Sequence, residues 1–191
     1  MSYGAKKQQL EALEKQMGSI REQIIALRRA EEPQKVSDYE LTTAGGEKVK
    51  LASVFGDKKE LFVVHNMGRK CPYCTLWADG FNGILPHLES RAAFVVTSPD
   101  APEIQAQFAK SRDWKFRMAS TAGSSFAKDL GYQGDDWTKP GVSVFIKSGD
   151  QILRVSDSEF GPGDDFCQAW HMFDLLPKGA DGWQPKFGYR G

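Results

Sequence analysis

The sequence predicts an α/β fold in which a mixed sheet carries helices on both faces. Three apolar runs of strand length, at residues 61–65, 92–97 and 142–147, alternate with stretches of helical apolar spacing. A helix joins the first run to the second, so these two strands should be parallel. The third run continues through a turn at residues 148–150 into another strand, which should be antiparallel to it. The predicted order is therefore β-α-β-α followed by β-β-α.

The chain opens with a predicted helix at residues 6–32, which Pro33 ends. Its apolar residues alternate between spacings of three and four, as in the a and d positions of a heptad repeat. They are Leu10, Leu13, Met17, Ile20, Ile24 and Leu27. This stripe either packs on its own domain or pairs with a second copy in a homodimer, and we slightly favour the homodimer. The predicted division is an arm at residues 1–33 and a domain at residues 34–191.

The other elements follow from turn signals and from the change of apolar period. Two short runs that flank the Ala-Gly-Gly-Glu segment at residues 44–47 predict an N-terminal β-hairpin. Helices are predicted at residues 75–89, 98–110, 124–130 and 166–176, a short strand at 116–119, the final strand at 151–155, and a surface-wrapping tail at 178–191. This order of elements is that of the thioredoxin fold.

Composition and charge limit the class of protein. The 25 basic residues balance the 25 acidic ones, which gives no argument for a nucleic-acid or membrane partner. The cluster of Arg112, Lys115 and Arg117 is accordingly predicted to be a solvated edge. Three cysteines do not suit a disulfide scaffold, and residues 1–9 have no apolar segment typical of a signal peptide. We therefore expect a cytoplasmic protein.

The motif Cys71-Pro72-Tyr73-Cys74 lies between a predicted strand and a predicted helix. A helix N-terminus has free N–H groups and a partial positive charge, and both stabilise a thiolate. Pro72 suits the first helical position because its missing N–H is not needed there. This setting predicts dithiol–disulfide chemistry, with Cys71 as the nucleophile and Cys74 as the resolving thiol.

Several neighbours of the motif are predicted to line the site. Arg69 and Lys70 should favour the Cys71 thiolate. His65, at the end of the strand, is either a proton shuttle or, as general experience favours, a hydrogen-bonded structural histidine. Trp77 is predicted to pack beside the site, and Asp79 to be a proton acceptor on the helix face or in the interior.

A metal site is the main rival use of two such cysteines. Structural zinc needs four ligands, and the other candidates are Cys167, His87 and His171. Cys167 and His171 lie four apart on the predicted last helix, which is a feasible pair. Because the sequence has no second Cys-x-x-Cys motif, we assign no metal and no cofactor. The alternative function is a non-catalytic binding module that holds a metal or a protein partner.

The segments around the motif resemble a bacterial thioredoxin-like family, domain of unknown function 899. The resemblance rests on residues 65–68, 71–83, 140–145 and 173–179, and above all on the Cys-Pro-x-Cys-x-x-Trp-x-Asp-x-Phe-Asn-Gly block. It implies a thioredoxin-like fold and a dithiol–disulfide oxidoreductase. The expected partner is a protein or small-molecule disulfide.

Two related families share parts of this pattern. Cys-Pro-Tyr-Cys is the glutaredoxin tetrapeptide, and residues 161–165 resemble the glutaredoxin clamp for glutathione, which implies glutathione as a candidate co-substrate. The glutaredoxin Thr-Val-Pro segment is absent, however. The hairpin and residues 124–131 resemble peroxiredoxins, but residues 65–70 lack the Thr and Pro that peroxiredoxins place before the peroxidatic cysteine.

The segment before the third buried strand departs from the thioredoxin pattern. Thioredoxin-like proteins usually place a cis-proline there, facing the two cysteines. In this chain Gly141 aligns with that position, and Pro140 lies one residue early. Either Pro140 takes the role in a shifted register, or the surface that holds the substrate is altered.

Overall fold

A mixed sheet of eight strands organises residues 3–189, the part of the chain that the computed structural model describes. The strands are β1 (Gln34–Val36), β2 (Glu40–Thr43), β3 (Lys48–Lys50), β4 (Glu60–His65), β5 (Ala93–Ser98), β6 (Arg117–Ser120), β7 (Gly141–Ser148) and β8 (Gln151–Glu159). Their order in the sheet is β1-β8-β7-β4-β5-β6-β2-β3. The predicted mixed α/β sheet is confirmed.

The centre of the sheet is parallel and its two sides are antiparallel. Strands β4, β5 and β6 run parallel, whereas β7 pairs antiparallel with β4, and β8 with β7. All six residues of β5 are buried, as expected for a strand covered on both faces. The predicted hairpin is confirmed as β2 and β3, and it joins the edge of β6. The sequence did not predict β1, which pairs with β8 at the opposite edge.

Six helices connect and cover the strands in the described residues. They are α1 (Tyr3–Ala30), α2 (Leu51–Val54), α3 (Pro72–Arg91), α4 (Pro102–Arg112), α5 (Phe126–Asp129) and α6 (Gln168–Phe173). Helix α6 is shorter than the predicted helix at residues 166–176, because Cys167 is extended and the Leu176 amide bonds to Phe173 in a tight turn. Within residues 3–189, no helix has the length and apolar character needed to cross a bilayer.

The two faces of the sheet carry separate hydrophobic cores. The first core packs α2 and α5 against residues such as Leu61 and Val63 of β4. The second core packs α3 against the other face, where Val64 joins Cys74 and Trp77. Because side chains alternate along a strand, His65 shares the face of the first core. The Cys-x-x-Cys motif therefore lies on the face opposite His65.

Helix α1 buries none of its residues against the domain. Its contacts lie in its C-terminal half, where Arg21 pairs with Asp165 at 3.5 Å and Arg28 donates a hydrogen bond to Ser158 at 3.3 Å. The interpretation in which the apolar stripe packs on its own domain is therefore wrong. Residues 1–2 of the predicted arm and residues 190–191 of the tail lie outside the described residues.

Candidate dithiol active site

Cys71 is the N-cap residue of α3. Its backbone is extended, with φ −96° and ψ 106°, and its Sγ accepts a hydrogen bond from the Cys74 amide at 3.0 Å. Pro72 occupies the first helical turn, as predicted, so one of the helix amides that would need a partner is absent. The Cys71 side chain is half-buried and Cys74 is buried, and both are free thiols.

The two thiols have opposite pKa shifts. The hydrogen bond from the Cys74 side chain is the largest cause that lowers the pKa of Cys71, and the backbone amides of Cys74 and Tyr73 add to it. Together they outweigh burial and bring that pKa to about 7. The same hydrogen bond, followed by burial, raises the pKa of Cys74. One outer thiolate beside one inner thiol is the protonation pattern of a redox dithiol.

The pKa of Cys71 is lowered by the Cys74 side chain and by the amides at the start of α3, and not by the basic residues before it. Arg69 and Lys70 are exposed, and neither is among the groups that shift the Cys71 pKa. The backbone of Arg69 has a structural role instead, since its amide donates to Asp100 Oδ2 at 2.7 Å. The prediction that these two side chains stabilise the thiolate is therefore not supported.

Backbone amides, with side-chain and main-chain acceptors, form a hydrogen-bond network that holds the loop before Cys71. Asn66 Oδ1 accepts from the Gly68 amide at 2.7 Å, and the Gly68 carbonyl accepts from the Cys71 amide at 3.1 Å. Gly68 has φ 101°, and a Cβ atom there would lie 2.9 Å from Asp100 Oδ2. The sequence did not predict these roles for Asn66 and Asp100. Asp100 belongs to the segment that was interpreted only as the start of the helix predicted at residues 98–110.

His65 is buried in the first core, on the other face of the sheet. Its ring stacks on Tyr132 with centroids 3.7 Å apart, and Nε2 lies 2.9 Å from Ser143 Oγ in a hydrogen bond. Burial, with a smaller effect of Arg154, lowers its pKa to about 3. This placement does not support a proton shuttle to Cys71. It agrees with the alternative of a structural histidine, bonded at one ring nitrogen.

Trp77 packs beside the motif, as predicted. It contacts Phe160 with ring centroids 5.4 Å apart, and its Nε1 donates to Asp164 Oδ1 at 3.2 Å. The Asp164 carboxylate also accepts the amides of Gly161 and Phe166, each at 2.9 Å. The loop that resembles a glutathione clamp therefore uses Asp164 to fix its own shape against Trp77.

Asp79 anchors α3 to the end of α4 and to the segment that follows it. It forms an ion pair with Arg112 and accepts a hydrogen bond from Trp114 Nε1 at 2.7 Å. It is an acceptor, as predicted, but the bonds it accepts are structural. The Arg112 side chain is only 22% exposed. The prediction of a solvated basic edge is thus wrong for Arg112.

The segment at Pro140 and Gly141 is crowded. Gly141 begins β7 opposite His65, and a Cβ atom there would lie 2.4 Å from Tyr132 Cε1 and 2.5 Å from the Ser158 carbonyl. The peptide bond before Pro140 is trans, as are all those in residues 3–189. Of the two expectations for this segment, an altered substrate surface is the one that agrees with the structure.

The residues considered for a metal do not converge. Cys167 is buried in the second core, whereas His171 is exposed and lies 3.8 Å from Asp165. Among residues 3–189, no group of three or more His, Cys, Asp or Glu side chains is arranged to hold a metal ion.

The chain matches one protein family by sequence and several solved structures by fold. The profile of a bacterial protein family of unknown function, DUF899, matches residues 1–188. No curated protein matches the sequence significantly.

Solved structures share the fold. Peroxidoxin BcpB of Mycobacterium tuberculosis gives a TM-score of 0.56 at 23% identity, over 66% of this chain and 84% of that one. A peroxiredoxin-like protein of Aquifex aeolicus gives 0.53 at 17%, over 66% and 74%. A hypothetical protein of Sinorhizobium meliloti 1021 gives 0.50 at 18%, over 82% and 87%. These similarities establish a thioredoxin-like fold.

Proposed function

The chain belongs to the bacterial family of unknown function DUF899, and we propose that it is a thiol–disulfide oxidoreductase whose redox dithiol is Cys71 and Cys74. One observation carries the proposal. Cys71 Sγ caps helix α3 and accepts the Cys74 amide at 3.0 Å, and its pKa is lowered to about 7. A substantial fraction of Cys71 is therefore a thiolate at neutral pH, and the thiolate is the nucleophile in disulfide exchange.

In the first step, the Cys71 thiolate attacks one sulfur of a substrate disulfide. A new S–S bond forms between Cys71 and that sulfur, the substrate S–S bond breaks, and the second substrate sulfur leaves as a thiolate. Cys71 is half-buried, so a substrate disulfide in solvent can reach its sulfur. Cys74 is only 3% exposed and is out of reach of such a substrate. The two thiols therefore have separate roles.

In the second step, the Cys74 thiol becomes the nucleophile. Its high pKa in the dithiol comes first from its hydrogen bond to Cys71, and the Cys71 charge adds to it. Once Cys71 is in a mixed disulfide, both causes are gone, while the Met67 amide still donates to Cys74 Sγ at 3.4 Å. Cys74 then loses its proton to solvent and attacks Cys71 Sγ. This attack closes the Cys71–Cys74 disulfide and releases the first substrate sulfur as a thiolate.

The net reaction moves two electrons from the dithiol to the substrate disulfide. A second dithiol or thiol reductant must then reduce the Cys71–Cys74 disulfide, and glutathione is a candidate. Asp164 is already bonded to Trp77, Gly161 and Phe166. Glutathione acting as the reductant would therefore bind without contacts from Asp164 of the clamp-like segment at residues 161–165.

The proposal is tested by trapping the first intermediate. Cys74→Ser is expected to form a stable mixed disulfide at residue 71 with glutathione disulfide and with oxidised insulin. Intact-mass and peptide mass spectrometry would identify the adduct. Cys71→Ser should form no adduct, and Cys167→Ser, which removes the buried third thiol, should behave as wild type. Absence of any adduct in Cys74→Ser would count against the proposal.

The redox behaviour of the Cys71–Cys74 pair distinguishes the proposed oxidoreductase from a binding module and from a peroxide-reducing enzyme. Alkylation across a glutathione redox series should reveal a reversible couple between about −270 and −120 mV, the range of known dithiol oxidoreductases. A pair that never oxidises, or that reacts only after a chelator is added, would favour the binding-module alternative. Rapid oxidation by hydrogen peroxide without activity on disulfides would instead assign the dithiol to peroxide reduction.

A further inference from the structure

Helix α1 carries an apolar seam that no described residue covers. The helix has 28 residues, which corresponds to a length of about 42 Å at 1.5 Å per residue. Exposure along the seam ranges from 43% at Ile24 to 72% at Leu27. Single exposed apolar residues are ordinary on protein surfaces. A continuous row over five helical turns is not, and such rows mark interaction sites.

The domain holds α1 by its C-terminal half and leaves the rest projecting. Arg21 and Arg28, which pair with Asp165 and Ser158, both lie on the e side of the heptad. Ile24 and Ile25 are the least exposed apolar residues of the helix. The seam from Leu10 to Ile20 lies beyond these contacts. The arm is thus fixed at one end and presented to solvent at the other.

The width of the seam indicates what covers it. A helix that packs on a globular domain usually has an apolar face that includes e or g positions as well as a and d. Beside the seam, Gln9, Gln16 and Gln23 occupy g positions, and Glu14, Arg21 and Arg28 occupy e positions. A strict a/d seam is the narrow stripe that one other helix covers in a coiled coil. Uncharged glutamine at these three g positions leaves no like charges facing each other there.

The helix that meets this requirement is α1 of a second copy. The shorter helices α2 to α6 have buried residues of their own within the domain. A second α1 offers the same seam, and a two-fold axis makes one seam complementary to itself. We propose that the chain forms a homodimer in which the seams of two α1 helices, at Leu10, Leu13, Met17, Ile20, Ile24 and Leu27, pack against each other. This proposal does not depend on the redox function.

The test compares two charge substitutions inside the seam with two outside it. By light scattering or sedimentation, the full chain should have twice the 21.3 kDa mass of one copy. Leu13→Glu with Ile20→Glu should give a monomer, because four buried apolar side chains per dimer are lost. The dissociation constant should rise on the order of 100-fold or more. Gln8→Glu with Lys15→Glu, at f positions on the opposite side of the helix, should remain dimeric.

Folding of the domain is checked separately. Near-UV circular dichroism and the pH dependence of Cys71 alkylation should be the same in both double variants and in the wild type. A wild-type chain that stays monomeric up to about 100 µM, where even weak specific complexes form, would overturn the proposal. So would a seam variant that remains dimeric, or a wild-type mass of three or more copies. Failure of the disulfide-trapping experiment would leave this result unaffected.

Discussion

The Cys74 amide donates a hydrogen bond to Cys71 Sγ across 3.0 Å, and a hydrogen bond from the Cys74 side chain is the largest cause that lowers the pKa of Cys71. The first bond belongs to the start of helix α3 and exists whichever residue occupies position 74. The second depends on the Cys74 thiol. The pair therefore titrates as a unit, in which the outer sulfur loses its proton first because the inner one keeps its own.

Alkylation of Cys71 should follow a titration with a midpoint near pH 7, the value to which its pKa is lowered. Because the thiolate is the reactive form, the rate should rise as the pH rises through this midpoint and then level off. Cys74→Ala should move the midpoint upward, since the side-chain donor is lost and only the backbone donors remain. Iodoacetamide rates between pH 5 and 10 would measure both midpoints, in a Cys167→Ser background that removes the third thiol.

Equal midpoints in the two proteins would contradict this account. The helix start alone would then set the Cys71 pKa. A midpoint near 8.5 in both, the ordinary value for a cysteine, would mean that neither the helix nor Cys74 stabilises the thiolate.

Asp164→Ala should destabilise the protein far more than Asp165→Ala. Asp164 accepts hydrogen bonds from Trp77 Nε1 and from the amides of Gly161 and Phe166, all of which would lose a charged partner. We expect a loss of roughly 2–3 kcal/mol in the free energy of unfolding. Asp165 makes an exposed ion pair with Arg21 and lies 3.8 Å from the exposed His171, so its loss should cost less than about 0.5 kcal/mol. Urea unfolding of the reduced proteins would compare the two.

A similar cost for the two substitutions would mean that the Asp164 bonds do not hold the loop. A change in the tryptophan fluorescence of folded Asp164→Ala that is absent in a Trp77→Phe background would locate the effect at Trp77, which is buried beside the motif.

Local signals explain why so much of the fold could be predicted. Strands β4, β5 and β7 are apolar runs bounded by turn residues, and their assignment needs no distant contact. Helix α6 was predicted too long because the apolar residues up to Leu176 continue the helical period. In the structure, Leu175 and Leu176 are exposed and lie in turns. Strand β1 was missed because three residues at an edge owe their conformation to pairing with β8.

Gly141→Ala should be severely destabilising, whereas Gly83→Ala should be mildly stabilising. At position 141 a methyl group would meet Tyr132 Cε1 at 2.4 Å and the Ser158 carbonyl at 2.5 Å, so the buried ring and the strand backbone would both have to shift. A cost of about 3 kcal/mol or more is expected, or failure to fold. At position 83, within α3, nothing lies within 4 Å. There alanine should add about 0.5–1 kcal/mol through helix propensity.

Thermal unfolding of Gly141→Ala, Gly83→Ala and the wild type would test both stability predictions. A tolerated alanine at position 141 would show that β7 can shift away from Tyr132. In that case the close packing would not explain why glycine stands where thioredoxin-like proteins usually have proline.

The candidate site was predictable where chemistry is local and not where it depends on tertiary contacts. Cys71 and Cys74 lie within four consecutive residues, and their strand–helix setting can be predicted without a structure. The partners of Asp79 come from Arg112 and Trp114, more than thirty positions away, and no spacing rule connects them. For His65 the sequence left two roles open and favoured the structural one. The choice between them depends on which face of β4 packs against the motif, and tertiary packing decides that.

His65 should make the protein sensitive to acid. Its folded pKa of about 3 lies below the unfolded value of 6.5, so between these values the unfolded chain binds a proton that the folded chain does not. The free energy of unfolding therefore falls as the pH falls, by about 1.4 kcal/mol per pH unit. Between pH 6 and pH 4 this contribution should be roughly 2.5 kcal/mol.

The double substitution His65→Phe with Ser143→Ala should remove this contribution. Phenylalanine keeps a ring against Tyr132, and alanine avoids leaving the buried Ser143 hydroxyl without its partner. Carboxylates contribute to acid sensitivity in every variant, so the informative quantity is the difference from wild type in the loss between pH 6 and pH 4. It should be about 2.5 kcal/mol smaller in the double variant. His87→Gln, which removes an exposed histidine, should lose as much as wild type. Equal losses in all three proteins would mean that His65 is protonated in the folded state, and its burial in the first core would then need another explanation.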